Sequence, residues 1–414
     1  MKLVIFGLSI SSSWGNGHAT LWRGLCRALI RRGHRVVFFE RDVPYYAANR
    51  DLWELPGGQL VLYAGWDDAL PAARRHLADA DVAMVTSYQV DALAATALAL
   101  DSRAAVKAFY DLDTPVTLDA LSGGREVAYV GPRGLRDFDL VLSYTGGRAL
   151  RELRTRLGAR RVAPLYGHVD PAVHRAVPPQ DAFRADLSYL GTYAADRQAA
   201  LEELFVRPAR AMPAARFAIG GAMYPQDFPW TENIFFVEHL PPALHPTFFA
   251  SGRLTLNVTR RAMAEMGWCP SGRLFEAAAC GTPLLSDAWE GLEGFFTPGE
   301  EILIARTAAD TVAALELSDA ELARVARAAR ERTLAEHTSE RRAEELERLL
   351  DAALSADSVD ETAFGGSGDA GGSGDAVGAS YPTSSNEGYP GVDGGAAERD
   401  GVGEKDGEAL AMEA

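Results

Sequence analysis

The stretch KLVIFGLSISSSWGNGHATLWRGLCRALIRRGHRVVFF, residues 2–39, decides the fold. It opens on a near-continuous apolar run from Lys2 to Leu8, which is how a strand buried on both faces of a parallel sheet reads. From His18 to Arg32 the apolar residues Leu21, Leu25, Leu29 and Ile30 recur at helical spacing, and Gly33 can end that helix. A second strand run, Arg35 to Phe39, follows directly. Strand, helix and strand in this order form the unit of a doubly wound α/β domain.

The same alternation continues outward. Runs at 59–63, 81–86, 104–109 and 139–143 extend a first sheet, and the polar, Pro-bearing HRAVPPQDAFRA at 174–185 reads as a crossing between domains. Runs at 187–191, 216–220, 233–237, 253–258, 283–286 and 301–305 then supply a second sheet. Helical patterns around 318–333 and 338–353, the latter with Ala343, Leu346, Leu349 and Leu350, close the folded part, and one of them can pack back on the first domain. The expected architecture is α/β: two Rossmann-like domains, 1–173 and 187–354, whose strand carboxyl ends face one cleft. Residues 355–414 hold 14 glycines and the repeat GGSGDA, so they are expected to form a disordered acidic tail with no catalytic role.

Composition narrows the function. The chain has 414 residues, 47 % hydrophobic and 24 % charged, enough for sizeable cores. Of the net charge of −16, the tail carries 13 acids against Arg399 and Lys405, which leaves −5 on residues 1–354. A mildly acidic body lacks the field of Lys and Arg that nucleic acid or anionic lipid requires. Cys26, Cys269 and Cys280 are far apart, so neither a disulfide framework nor a zinc motif is indicated. MKLVIFGLSI has no small-residue cleavage site, and no run reaches the ~20 apolar residues of a membrane span. A cytoplasmic protein is expected.

Three motifs carry candidate chemistry. Trp14, Gly15, Asn16, Gly17 and His18 join the first strand to its helix, where glycines permit close backbone approach and a histidine facing the cleft can serve as a base; the plainer role of His18 is to cap its helix. In Asp111-Leu112-Asp113-Thr114-Pro115, an acid at a strand end can orient His18 or bind hydroxyls, while Asp113 or Thr114 can instead cap a helix. The DxD triplet also occurs at Asp79 and Asp137, which weakens a metal reading; no metal is expected. The third motif joins Asn257 and Arg260 to PSGRLFEAAACGTP at 270–283, with Ser271 as helix N-cap. Arg273 and Glu276 share one face of that helix; a guanidinium can fork to a diphosphate and a carboxylate can accept two vicinal ribose hydroxyls, the plainer alternative being a surface ion pair.

On these residues the chain resembles GT-B glycosyltransferases, and within them the spore maturation protein CgeB family of glycosyltransferase-like proteins. The likeness spans about residues 1–350 and is carried by RLFEAAACGTPLLSD with the trailing Gly291-Leu292-Glu293, and by SWGNGH and YDLDTPVTL. It implies transfer of a sugar from a nucleotide-sugar donor, bound by the second domain, to an acceptor bound by the first. Glu276 matches the glutamate that binds the donor ribose in related enzymes; the position of their earlier glutamate, 268, holds tryptophan. Gly191, Thr192 and Arg197 match the place where donor phosphates bind, and His18 with Asp111 would serve the acceptor hydroxyl. A nucleotide-sugar epimerase and a non-catalytic nucleotide-sugar binder are the competing functions.

Overall fold

A computed structural model describes the backbone through residue 360 and side chains through residue 355. In the first lobe, β1 (Lys2–Gly7), β2 (Arg35–Arg41), β3 (Gln59–Tyr63), β4 (Val82–Thr86), β5 (Val106–Asp111), β6 (Leu140–Ser143) and β7 (Val162–Pro164) form a parallel sheet in the order β3-β2-β1-β4-β5-β6-β7. In the second, β8 (Ala185–Leu190), β9 (Phe217–Gly221), β10 (Ile234–Glu238), β11 (Gly252–Asn257), β12 (Leu284–Ser286) and β13 (Leu303–Ile304) run parallel in the order β10-β9-β8-β11-β12-β13. β7 is the strand that the apolar runs did not announce, since Val-Ala-Pro is too short to register as one.

Burial explains the sequence pattern. Every residue of β1 is buried, Leu3, Val4 and Phe6 completely, because helices cover both faces of the sheet. One apolar cluster runs unbroken from the first lobe to the second, joining Leu112, Tyr144 and Leu165 to Leu190, Leu274 and Phe275. The indole of Trp268 is wedged between the lobes: its peptide oxygen accepts from Gly146 N at 2.9 Å, and its ring lies where side chains at Gly147 and Gly291 would stand.

The chain crosses between lobes twice. Residues 165–184 lead from β7 to β8, and the return strand of contact sets Val169 against Thr338, with Ser339 Oγ bonded to Val169 O at 3.1 Å. The helix Ser339–Asp360 then packs on the helix His18–Arg31 of the first lobe, with Arg32 paired to Glu347 at 2.6 Å. This helix continues past residue 355, and residues 361–414, where the acidic tail was expected, lie outside the described residues. Among the described residues no helix is long and apolar enough to cross a membrane.

The loop 8–17 matters most for the site, and a buried acid holds it. Glu40, near the end of β2, accepts from Ser9 Oγ at 3.0 Å, Ile10 N at 2.8 Å, Ser11 N at 2.9 Å and Ser11 Oγ at 2.6 Å. Burial pushes this carboxyl up and the four donors pull it back. Glu40→Leu would strand those donors, each costly when buried without a partner. The variant is expected to lose about 3 kcal/mol of stability by denaturant unfolding. An unchanged midpoint would mean that the loop is held by other contacts.

Candidate active site

In both sheets the strand order reverses beside the first strand, between β1 and β4 and between β8 and β11. Ligands bind in open α/β sheets at such a reversal, outside the strand carboxyl ends. Here the two reversals face each other across one cavity of about 240 Å³ lined from both lobes.

The first lobe contributes the loop 8–17 and the end of β5. Gly15 takes a left-handed conformation at φ 59°, and Asn16 is buried, its amide reaching Ser9 O and Ser12 O at 3.3 Å and its oxygen accepting from His18 N at 3.0 Å. Asn16 therefore braces the turn that presents His18. His18 Nε2 lies 3.6 Å from Asp113 Oδ2, and its Nδ1 is buried without a partner. Burial lowers the His18 pKa, Asp113 opposes this and Arg260 adds to it; the imidazole is thus neutral at pH 7.

The partner of His18 is a correction to the sequence reading. Asp111 ends β5 with its side chain fully buried, accepting from Thr117 Oγ1 at 3.1 Å and Asp113 N at 3.2 Å, and does not line the cavity. Asp113, the N-cap residue of the helix Thr114–Ser122, is the acid that faces the cavity. Trp14 packs against His239 of the second lobe in a tilted arrangement with ring centroids 4.0 Å apart, so it bridges the lobes beside the cavity and does not line it.

The second lobe supplies the charged wall. Arg273 on the helix Gly272–Ala279 passes over Tyr189, donates Nε to Leu190 O and Nη1 to Asn257 Oδ1 at 2.7 Å, and so ties that helix to the ends of β8 and β11. Gly191 is needed for this passage, since a Cβ there would stand 2.6 Å from Arg273 Nη2. Asn257 is consequently a buried support that does not line the cavity. Arg197 donates to Thr192 O at 3.0 Å and keeps a buried Nε without a partner; Arg260 Nε bonds Asp196 at 3.1 Å. Ser271 occupies the N-cap position, but its side chain makes no capping bond.

Glu276 reaches across the cavity, accepting from Thr20 Oγ1 of the first lobe at 3.2 Å. Burial alone would raise its carboxyl; His174, His245, the Thr20 hydroxyl and Arg273 outweigh that and hold it below the ordinary value. Thr20, His174 and His245 escaped the sequence reading. Each is a lone polar residue on a different element, and no spacing links them.

Residues 197–348 match the family model described as glycosyl transferase-like. Among curated proteins, none matches the chain by sequence. Solved structures that are similar include sucrose-phosphate synthase from Thermosynechococcus elongatus, at 15 % identity and TM-score 0.64 over 86 % of this chain and 100 % of that one. Anabaena HepE in complex with UDP-glucose aligns at 12 % identity and TM-score 0.61 over 85 % and 100 %. An α-glucosyltransferase in complex with UDP-glucose and DNA aligns at 12 % identity and TM-score 0.63 over 85 % and 99 %. The fold is GT-B: two Rossmann-like lobes with the cavity between their strand carboxyl ends.

The burial of Asp111 has a testable consequence. Burial raises its carboxyl from the ordinary 3.8 to about 6, against the opposing bond from Thr117. The folded protein therefore holds a proton there that the unfolded chain has released, so this contribution is full below pH ~4 and is lost as pH rises through ~6. Asp111→Asn is expected to gain roughly 2–3 kcal/mol over the wild type at pH 7.5 and almost nothing at pH 4, measured by urea unfolding. A gain that does not vary with pH would refute the assignment.

Proposed function

We propose that the protein transfers a hexosyl group from a nucleoside-diphosphate sugar to an acceptor hydroxyl without a metal ion. The observation that carries this reading is one cavity with the His18–Asp113 pair on one wall and Arg197, Arg273 and Glu276 on the other. It is supported by the glycosyl transferase-like match over residues 197–348. UDP-glucose in two of the similar structures makes UDP-hexoses the first donors to try. Within this class the reading favours the CgeB-like members, on the strength of RLFEAAACGTPLLSD at 273–287.

In this reading the acceptor oxygen bonds to the anomeric carbon as the bond from that carbon to the diphosphate oxygen breaks, and the nucleoside diphosphate leaves. Its growing negative charge is held by Arg197, Arg260 and Arg273 in the place where a metal would otherwise serve. Glu276 accepts hydrogen bonds from the two ribose hydroxyls. In an inverting reaction the acceptor proton passes to His18 Nδ1, the nitrogen that Asp113 does not face. In a retaining one His18 binds the sugar instead, and NMR of the product's anomeric proton separates the two. The mildly acidic body argues for an acceptor other than nucleic acid, and the protein is read as cytoplasmic.

The test begins with thermal shift against UDP-, GDP-, dTDP- and ADP-sugars. A donor at about 100 times its Kd should add about 2.7 kcal/mol of stability. Glu276→Gln should weaken that donor at least tenfold while leaving the unliganded melting temperature within a few degrees; unchanged affinity would remove Glu276 from the donor site. Transfer or donor hydrolysis should persist in EDTA. Strict dependence on a divalent ion would overturn the metal-free chemistry and return attention to Asp113, the acid of that motif that lines the cavity. Donor binding with neither transfer nor hydrolysis would favour the non-catalytic reading, which the tryptophan at position 268 also favours.

A further inference from the structure

Two histidines with no part in the transfer chemistry converge on Glu276. His174 comes from the interlobe crossing and is 3 % exposed; His245 opens the helix His245–Ser251. One ligand atom from each of His174, His245 and Glu276 lies within 4.8 Å of the other two. His174 Nε2 stands 3.8 Å from Glu276 Oε1, beyond hydrogen-bonding distance, and is buried without a partner. His245 Nδ1 is likewise buried and unpartnered. Its Nε2 lies 3.0 Å from Leu240 O. A carbonyl can only accept, so that contact fixes the proton on Nε2 and leaves a bare lone pair on Nδ1. A backbone carbonyl holding the far ring nitrogen is also how metal-binding histidines are oriented.

Two buried imidazole nitrogens without partners, set around a carboxylate whose Oε1 accepts only the long bond from Thr20 described above, make a ligand set. We infer that His174, His245 and Glu276 form a binding site for a late first-row divalent cation, Zn2+ above all. Imidazole donors select zinc, cobalt and nickel, whereas magnesium and calcium demand oxygen. Zinc bonds of about 2.0–2.2 Å to nitrogen and oxygen need the ligand atoms, now within 4.8 Å of one another, to draw closer together on binding. Glu276 and His245 line the cavity, so the fourth position opens onto it. Because the proposed donor reading gives Glu276 to the ribose hydroxyls, the cation and the donor compete for one carboxylate. Zinc is then an inhibitor of the transfer and not its cofactor.

The test uses the full, tag-free chain stripped of metal. Calorimetric titration with ZnCl2 should give one strong site per chain and MgCl2 none; Co2+ should give the intense visible bands of a tetrahedral site. Both signals should be lost in His174→Gln and in His245→Gln, whose folding is checked by melting temperature. At zinc about ten times its own Kd, the apparent Kd for UDP-glucose should rise about tenfold in the wild type and stay unchanged in the two variants, which also controls for zinc held by the diphosphate itself. Absence of zinc binding, or zinc binding that survives both substitutions, would overturn the site. Zinc binding at these residues that leaves UDP-glucose affinity unaltered would overturn the inhibition. Should UDP-glucose fail to bind the metal-free protein, the donor reading falls while the cobalt spectrum and the variants still decide the metal site.

Discussion

A parallel strand covered by helices on both faces offers chemistry only its carboxyl end, and this constraint governs the protein. Both sheets are fully parallel, so each exposes one crevice where its strand order reverses, and the lobes are set with those crevices face to face. Buried charged groups fix what stands there. Glu40 gathers four donors from the loop 8–17, and Arg273 ties its helix to the ends of β8 and β11. These are ties from sheet to loop in the first lobe and from helix to sheet in the second, and each shapes the wall of its own lobe.

The lobes are joined by more than a linker. A single apolar cluster passes from one to the other, Trp268 is wedged between them, and the final helix returns to pack on the first lobe. Smaller contacts cross between the lobes as well: Thr20 on Glu276 in the cavity and the ring of Trp14 against that of His239 beside it. The cavity therefore has a neutral histidine and its carboxylate on one side and Arg197, Arg260, Arg273 and Glu276 on the other. That division of charge suits an anionic donor entering against one wall and a hydroxyl entering against the other.

Where the reading of the candidate site went astray, the cause was geometry over one or two residues. Asp111 and Asp113 both stand at the end of an apolar strand, and only the structure reveals that the first turns into the core while the second, at the N-cap position of the next helix, lies beside His18. Asn257 is buried as a support of Arg273 away from the cavity, and Asn16 braces the turn before His18 while still lining it. His174, His245 and Thr20 gave no signal, since each sits alone on its element and becomes chemically relevant only when the tertiary fold brings it to Glu276, Thr20 from the other lobe, His174 from the crossing and His245 from within the same lobe.

The sequence by itself determined the architecture, because burial on both strand faces and on one helix face writes a period that can be read locally. It also marked GNGH and RLFE as the segments of interest, since glycine at a turn and charge on an apolar helix are local anomalies. Only the tertiary structure decided which side chains meet. Partners such as Thr20 and Glu276, 256 residues apart, are set by how two separately formed sheets pack, and no local pattern encodes that.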